Sequence, residues 1–310
     1  MKLIKRNNQN RRKIRGISSP DSLCKQYFAL FIITVLIFLL SIGGVSGKEK
    51  VVEPLFSKDK IGVVVTILPL ANFVEQVGKD RVEVRVMVPP GASPHTYEPT
   101  PSQLKEISQA QLYVKIGSGI DFELAWMDKI RAVNRDMLIC DSSLGIKIIN
   151  NDPHIWLSPK NAQKIVQNIG QALIQIDPLS REYFEENVKE FNLKLDELDK
   201  EIRIKINEMK NKRFLTYHPS WTYFAKEYNL IQMAIEEEGK EPSAASLVGI
   251  IKQARANQVS IILCSPQFNI KSAEVIAKEI EAKIITADPL ARDYINSLQI
   301  LATALGGNEY

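Results

Sequence analysis

The stretch G-V-V-V-T-I-L-P-L (residues 62–70) decides the fold, because an unbroken apolar run of strand length leads directly into a helical pattern. An apolar strand without alternation is typical of a parallel sheet that is covered on both faces. A strictly alternating strand, V-E-V-R-V-M-V (residues 82–88), follows the helical segment, and strands and helices continue to alternate as far as M-L-I-C (residues 137–140). This order indicates βαβ units. The sequence therefore predicts an α/β fold with a parallel sheet.

A second α/β block begins at the strand R-F-L-T-Y-H (residues 213–218) and ends in a helix near Leu305. The segment between the two blocks has a helical apolar stripe among dense charges, which predicts a helical connector packed on the body. The predicted organisation has four parts: a leader over residues 1–47, an N-terminal lobe over 48–158, a connector over 159–211 and a C-terminal lobe over 212–310.

Charge is distributed unevenly along the 310 residues. Residues 1–47 contain eight Lys and Arg residues against the single acid Asp21, so they hold a net charge of +7. The whole chain has +4, which leaves −3 for residues 48–310. A mildly acidic body lacks the basic surface of a nucleic-acid-binding protein. We expect no nucleic-acid partner.

The basic N-terminus precedes an apolar run, Phe28–Leu40, and a stretch of small residues, S-I-G-G-V-S-G (residues 41–47). This pattern predicts a secretory signal peptide with cleavage after Gly47. The alternative is an uncleaved N-terminal anchor, since extension of the run to Val45 gives the shortest length that can span a membrane. Both alternatives place the body outside the cytoplasmic membrane, in the periplasm or at the cell surface. Cys24 precedes the apolar run, where it cannot serve as a lipoprotein cysteine.

The chain has only three histidines, and each lies in or near the end of a predicted strand: His95, His154 and His218. In open parallel sheets, ligands bind beyond the carboxyl ends of the strands. Two facing lobes would therefore bring the three imidazoles together, with Asp288 of the strand T-A-D as a fourth ligand. Three imidazoles and a carboxylate suit Zn²⁺, while Mn²⁺ and Fe²⁺ are the alternatives.

Six segments resemble motifs of the solute-binding proteins of zinc/manganese ABC importers. They are VPPGASPHTYEPTPSQ (88–103), DPHIWLSP (152–159), TYHPSWTYFAKEY (216–228), EEEGKEPS (236–243), CSPQF (264–268) and TADPL (286–290). The resemblance spans the exported body from about Val63 to Leu305. It implies two Rossmann-like lobes joined by a long rigid helix, with the metal in the cleft between them. It also implies the same four ligands, and it implies a membrane permease and an ATPase as partners of a monomeric binding protein that is not an enzyme.

The identity of the metal depends on two features. In this family a histidine at the third ligand position, here His218, is typical of zinc-type members, whereas manganese-type members have Glu. Many zinc-type members also have a His-rich loop between the first two ligands, and this chain has no histidine between His95 and His154. We expect Zn²⁺. The acidic run Glu236–Glu238 is interpreted as a solvated loop or a permease-docking surface.

An exported zinc-dependent hydrolase is the alternative function, because three protein ligands and a water form a catalytic zinc site. The sequence contains neither H-E-x-x-H nor G-x-S-x-G, and all three histidines are used as ligands, so none remains as a general base. The sequence therefore favours a metal-binding protein over an enzyme.

Overall fold

The computed structural model describes residues 28–34, 54–236 and 240–307. Residues 54–310 make up one unit that contains both sheets. Residues 28–34, in the other unit, are helical. Apart from that helix, the predicted leader and its cleavage site after Gly47 lie outside the described residues. Within the described ranges, no helix is both long enough and apolar enough to cross a membrane.

The N-terminal sheet has four parallel strands in the order β2-β1-β3-β4. Strand β1 is buried along its whole length, as its unbroken apolar sequence predicts for a strand inside a parallel sheet. The elements of this lobe are β1 (Ile61–Val65), α1 (Leu68–Gly78), β2 (Val82–Val86), α2 (Pro101–Ile107), β3 (Leu112–Lys115), α3 (Asp121–Val133) and β4 (Leu138–Asp141).

The C-terminal sheet repeats this architecture, with four parallel strands in the order β6-β5-β7-β8. Two parallel sheets with helices confirm the predicted α/β class with two lobes. The elements here are β5 (Arg213–Thr216), α6 (Thr222–Glu227), β6 (Ile231–Ala234), α7 (Ala244–Ala256), β7 (Ile261–Cys264), α8 (Lys271–Ile280), β8 (Lys283–Thr286) and α9 (Tyr294–Gly306).

Two helices, α4 (Pro159–Ile176) and α5 (Arg181–Asn207), connect the sheets. The side chain of Ser158 caps α4 by accepting a hydrogen bond from the backbone N–H of Asn161. Helix α4 approaches α5 closely at Gly170, because a Cβ atom there would lie 2.6 Å from Val188 Cγ2. The boundaries predicted for the lobes and the connector stay predictions.

The apolar stripe of α5 is buried in the main hydrophobic core, and every fully buried Leu or Ile contributes about 1.5–3 kcal/mol. Its members are Phe184, Phe191, Leu195, Leu198 and Ile202, with Val188 at the edge. Helix α9 packs against α5 and adds its own apolar residues to the same core. A second, smaller core lies within the C-terminal lobe around Leu215 and Ile262. The long helix thus packs against α1, α4 and α9.

Candidate metal centre

The three histidines converge, as the sequence predicts. The ring centroid of His95 lies 4.9 Å from that of His218 and 5.9 Å from that of His154. Their candidate ligand nitrogens all lie within 4.8 Å of one another, and Nε2 of His154 is 3.3 Å from Nε2 of His218. The three side chains form the candidate metal centre.

The loop after β2 presents His95. Gly91 adopts φ = +80°, a left-handed conformation that favours glycine, and the backbone then turns through hydrogen bonds such as Tyr97 N to Ser93 O. The first residue of α3, Asp121, accepts a hydrogen bond from His95 Nδ1 at 2.6 Å. The backbone N–H of Phe122 also donates to Pro94 O at 3.0 Å. The start of α3 therefore holds both the loop and its imidazole.

A buried carboxylate fixes the first turn of α3. Glu123 accepts hydrogen bonds from the hydroxyl of Thr66 at the end of β1 and from the backbone N–H groups of Ile116 and Gly117 after β3, at 2.6–2.9 Å. Burial raises the pKa of Glu123, while these three donors act against that rise. Because Asp121 lies in the same turn, this network determines the position of the carboxylate that orients His95.

His154 follows a tight turn that contains two left-handed residues, Asn150 (φ = 48°) and Asn151 (φ = 58°). It immediately precedes the short 3₁₀ helix Ile155–Leu157 and lies well beyond the end of β4 at Asp141, so its relation to a strand end is looser than predicted. Asp152 Oδ1 accepts hydrogen bonds from the backbone N–H of His154 at 2.8 Å and from its Nδ1 at 2.7 Å. The same oxygen therefore orients both backbone and ring.

His218 lies two residues beyond β5, and its ring stacks on Phe268 with 5.0 Å between centroids. Its Nδ1 donates to Glu236 Oε1 at 2.8 Å, and the Glu236 side chain is only 5% exposed. The interpretation of Glu236 as part of a solvated loop or docking surface is therefore wrong. The other two members of the acidic run, Glu237 and Glu238, lie outside the described residues.

All three imidazoles have the same tautomer. A carboxylate only accepts hydrogen bonds, so each Nδ1 bonded to one bears a proton, and in the neutral ring the lone pair is then on Nε2. Burial lowers the pKa of His154, and the nearby His218 and His95 add to this effect, while the hydrogen bond to Asp152 opposes it. In their neutral form the three rings thus present unprotonated Nε2 atoms. This is the state in which imidazole binds metal.

The predicted fourth ligand, Asp288, is not a member of the cluster formed by the three histidines. It lies two residues beyond β8, and its Oδ1 accepts hydrogen bonds from Gln267 Nε2 at 2.7 Å and from Leu290 N at 2.9 Å. Its neighbours Pro289 and Leu290 line a cavity of about 20 Å³ together with the three histidines. That volume is roughly the room that one water molecule or small ion needs.

Two larger grooves, of about 590 and 710 Å³, flank the edge strand β4. No histidine is among their lining residues, and the described residues contain no other cluster with the ligand spacing of the three histidines. The small cavity is therefore the candidate site.

Hydrogen bonds connect the ligand-bearing segments across the two lobes. The hydroxyl of Tyr223 in α6 donates to Asp152 O at 3.0 Å and accepts from Ile149 N at 3.0 Å, so it bridges the turn before His154. The indole of Trp156 donates to Pro289 O at 2.7 Å, and Tyr294 donates to Trp156 O at 2.7 Å. The loops of the second and fourth predicted ligands are tied directly to each other.

Sequence reasoning missed the three carboxylates that orient the imidazoles. Asp152 could have been predicted, because an acidic side chain two residues before a histidine can accept hydrogen bonds from both the backbone N–H and the ring of that histidine. Glu236 continues the parallel ladder beyond β6, where its backbone N–H donates to Tyr217 O beside His218. Asp121 is 26 residues from His95 in the chain, and only the fold brings them together.

Comparisons with known proteins place the chain among metal-uptake proteins. The profile of the family described as "ZnuA: Zinc-uptake complex component A periplasmic" matches residues 63–306. The high-affinity zinc uptake system protein ZnuA of Bacillus subtilis is 32% identical over 280 residues, which cover 84% of this chain and 87% of that protein. The manganese ABC transporter substrate-binding lipoprotein PsaA of Streptococcus anginosus is 30% identical over 244 residues, which cover 72% and 78% of the two chains.

Solved structures show the same relationship. A crystal structure of ZnuA superposes with a TM-score of 0.78 and 39% sequence identity, over 80% of this chain and 99% of that one.

Proposed function

The chain belongs to the ZnuA family of periplasmic zinc-uptake components, and on this premise we propose that it captures Zn²⁺ outside the cytoplasmic membrane. It then delivers the ion as cargo to the permease of an ABC importer, which an ATPase powers. In this proposal the protein acts as a monomer in the periplasm or at the cell surface, and it binds the metal without transforming a substrate.

The spacing of the imidazole nitrogens is the observation that carries the proposal. The Nε2 atoms of His154 and His218 face each other at 3.3 Å. In a tetrahedral zinc site with Zn–N bonds of 2.0–2.1 Å, neighbouring ligands lie about 3.3–3.4 Å apart. At this distance the two nitrogens either share a proton in a hydrogen bond or bind one cation together. This pair of nitrogens therefore has the spacing that zinc requires before the ion arrives.

The donor set favours zinc over manganese. Imidazole suits Zn²⁺, whereas Mn²⁺ prefers carboxylate, carbonyl and water oxygens in octahedral geometry. We assign His95, His154 and His218 as three ligands and Asp288 as the fourth. Mn²⁺ and Fe²⁺ are the weaker candidates, and PsaA, named for manganese, is among the relatives. The hydrolase alternative has no support among the relatives reported above.

Metal analysis of protein purified without chelator tests the proposal. We expect close to one equivalent of zinc, and we expect Zn²⁺ to displace Mn²⁺ in a competition titration against a chelator of known affinity. A protein that binds no divalent metal under these conditions contradicts the transport function. A protein that prefers Mn²⁺ contradicts the zinc assignment but not the site.

A further inference from the structure

Gln267, which no comparison assigns, lies in the wall of the cavity with the three histidines. It follows β7 by three residues, and its amide Nε2 donates to Asp288 Oδ1 at 2.7 Å. The backbone N–H of Leu290 donates to the same oxygen at 2.9 Å. Both hydrogen bonds that Asp288 accepts within the described part of the chain therefore end on Oδ1, and Oδ2 remains available to a metal.

The other end of the amide supports this arrangement. Oε1 of Gln267 is shielded from solvent and has no hydrogen-bond partner among the described residues. The carboxylate of Asp288 accepts hydrogen bonds only from donors, so the amide of Gln267 must turn its Nε2 towards Asp288. The amide oxygen Oε1 is left unpaired as a consequence. A buried unpaired acceptor requires an explanation. A cation in the adjoining cavity supplies one, because the negative end of the amide dipole then has an opposite charge nearby.

We propose that Gln267 is a positioning residue that determines metal specificity by restricting Asp288 to coordination through Oδ2 alone. This inference rests on the proposed function. A carboxylate with one oxygen held by two N–H donors is a one-oxygen ligand, and with three imidazoles it completes the four-coordinate sphere that zinc prefers. A carboxylate released from Gln267 is free to bind through both oxygens, which raises the coordination number and suits Mn²⁺ better.

The test replaces Gln267 by Met, which keeps the length of the side chain and removes both polar groups. We expect Q267M to lower zinc affinity at least tenfold, the effect usual for a residue that orients a ligand, and to narrow the ratio of zinc to manganese affinity. In the cobalt-substituted protein we expect the visible absorption to lose the intensity of a four-coordinate site. Q267N, whose amide is one methylene too short to reach Oδ1, should behave in the same way.

A matched control exists in α4. Gln163 Nε2 donates to Asp196 Oδ1, also at 2.7 Å, and to Asn192 O at 3.1 Å. Neither Gln163 nor Asp196 lines the cavity of the three histidines. Q163M removes the same kind of bond, and we expect it to leave zinc affinity and the cobalt spectrum unchanged. Thermal unfolding of each metal-free variant establishes that it folds.

A double-mutant cycle with D288A decides whether Gln267 acts through Asp288. If it does, Q267M lowers zinc affinity at least tenfold in the native background and less than about twofold in the D288A background, because the effects of coupled residues are not additive. An equal loss of zinc affinity in both backgrounds, or no loss of zinc affinity in the native background, overturns the proposal. Failure of the transport function is a different result, because the native protein itself would then bind no zinc.

Discussion

The carboxylates that accept hydrogen bonds from the imidazoles differ in exposure, and this difference predicts how much zinc affinity falls when each one is neutralised. Asp152 is 11% exposed, whereas Asp121 is 62% exposed. Asn in place of Asp keeps an oxygen that accepts from Nδ1, so D152N and D121N remove mainly charge. The matched pair thus measures how strongly each charge acts on a metal bound at Nε2.

The magnitude follows from the geometry. The carboxylate oxygens lie 2.6–2.7 Å from Nδ1, and the ring and a metal–nitrogen bond put the metal at about 6 Å. A carboxylate and a zinc ion, with charges of −1 and +2, interact at about 6 Å by roughly 1.4 kcal/mol at the dielectric constant of water, and by roughly 5.5 kcal/mol at an effective value of about 20. We therefore expect D121N to weaken zinc binding about tenfold and D152N about 10,000-fold.

Zinc affinity measured by chelator competition at pH 8 and low ionic strength checks this expectation. Added salt should reduce the D121N effect more than the D152N effect, since exposed charges are screened more strongly. Equal effects of the two substitutions, or a larger effect of D121N, would refute the electrostatic reasoning. They would show that the carboxylates act only as hydrogen-bond acceptors.

Three further predictions concern the same site. H154A should lower zinc affinity by several orders of magnitude while the metal-free protein still unfolds cooperatively, as followed by circular dichroism, because the substitution leaves the apolar side chains of both hydrophobic cores unchanged. Affinity within a few-fold of the native protein would remove His154 from the site. Y223F should speed zinc release, as measured by stopped flow, and should lower the free energy of unfolding by about 1–3 kcal/mol, since it leaves Ile149 N and Asp152 O unpaired. The control Y228F loses only a hydrogen bond to Asp199 and should change stability without changing the release rate. Zinc affinity should fall as the pH falls, because protons compete with the metal for each imidazole, and the slope of log Kd against pH should approach roughly three. Burial lowers the pKa of His154, so a proton competes for this ring only below the ordinary pKa of about 6.5. A zinc affinity that is flat from pH 8 to 5 would exclude the histidines as ligands.

The sequence was sufficient for the sheets and the histidines, because both depend on local patterns. Unbroken apolar strands predicted parallel sheets, and in such sheets ligands bind beyond the carboxyl ends of the strands. These inferences needed only residues close together in the chain.

Contacts between distant residues were not predictable in the same way. The run Glu236–Glu238 has the composition of a solvated loop, and only the continued pairing of β6 with β5 turns Glu236 inwards. Gln267 was part of a recognised motif, but its partner Asp288 is 21 residues away and its role depends on the geometry of one carboxylate oxygen. Orientation of ligands is a property of the packed fold.

The cross-lobe hydrogen bonds relate tight capture to release. The segment that holds His154 is joined to α6 by the bond of Tyr223, to the loop of Asp288 by that of Trp156 and to α9 by that of Tyr294. A net contribution of about 0.5–1.5 kcal/mol for each gives roughly 1.5–4.5 kcal/mol for the three. Loss of zinc affinity by a factor of a thousand requires about 4 kcal/mol. Separation of these segments on docking to a permease therefore involves energies of the size needed to convert tight binding into release, and no lobe has to unfold. If this holds, the three bonds set the difference between the capturing and releasing states, and their removal should accelerate release more than it destabilises the fold.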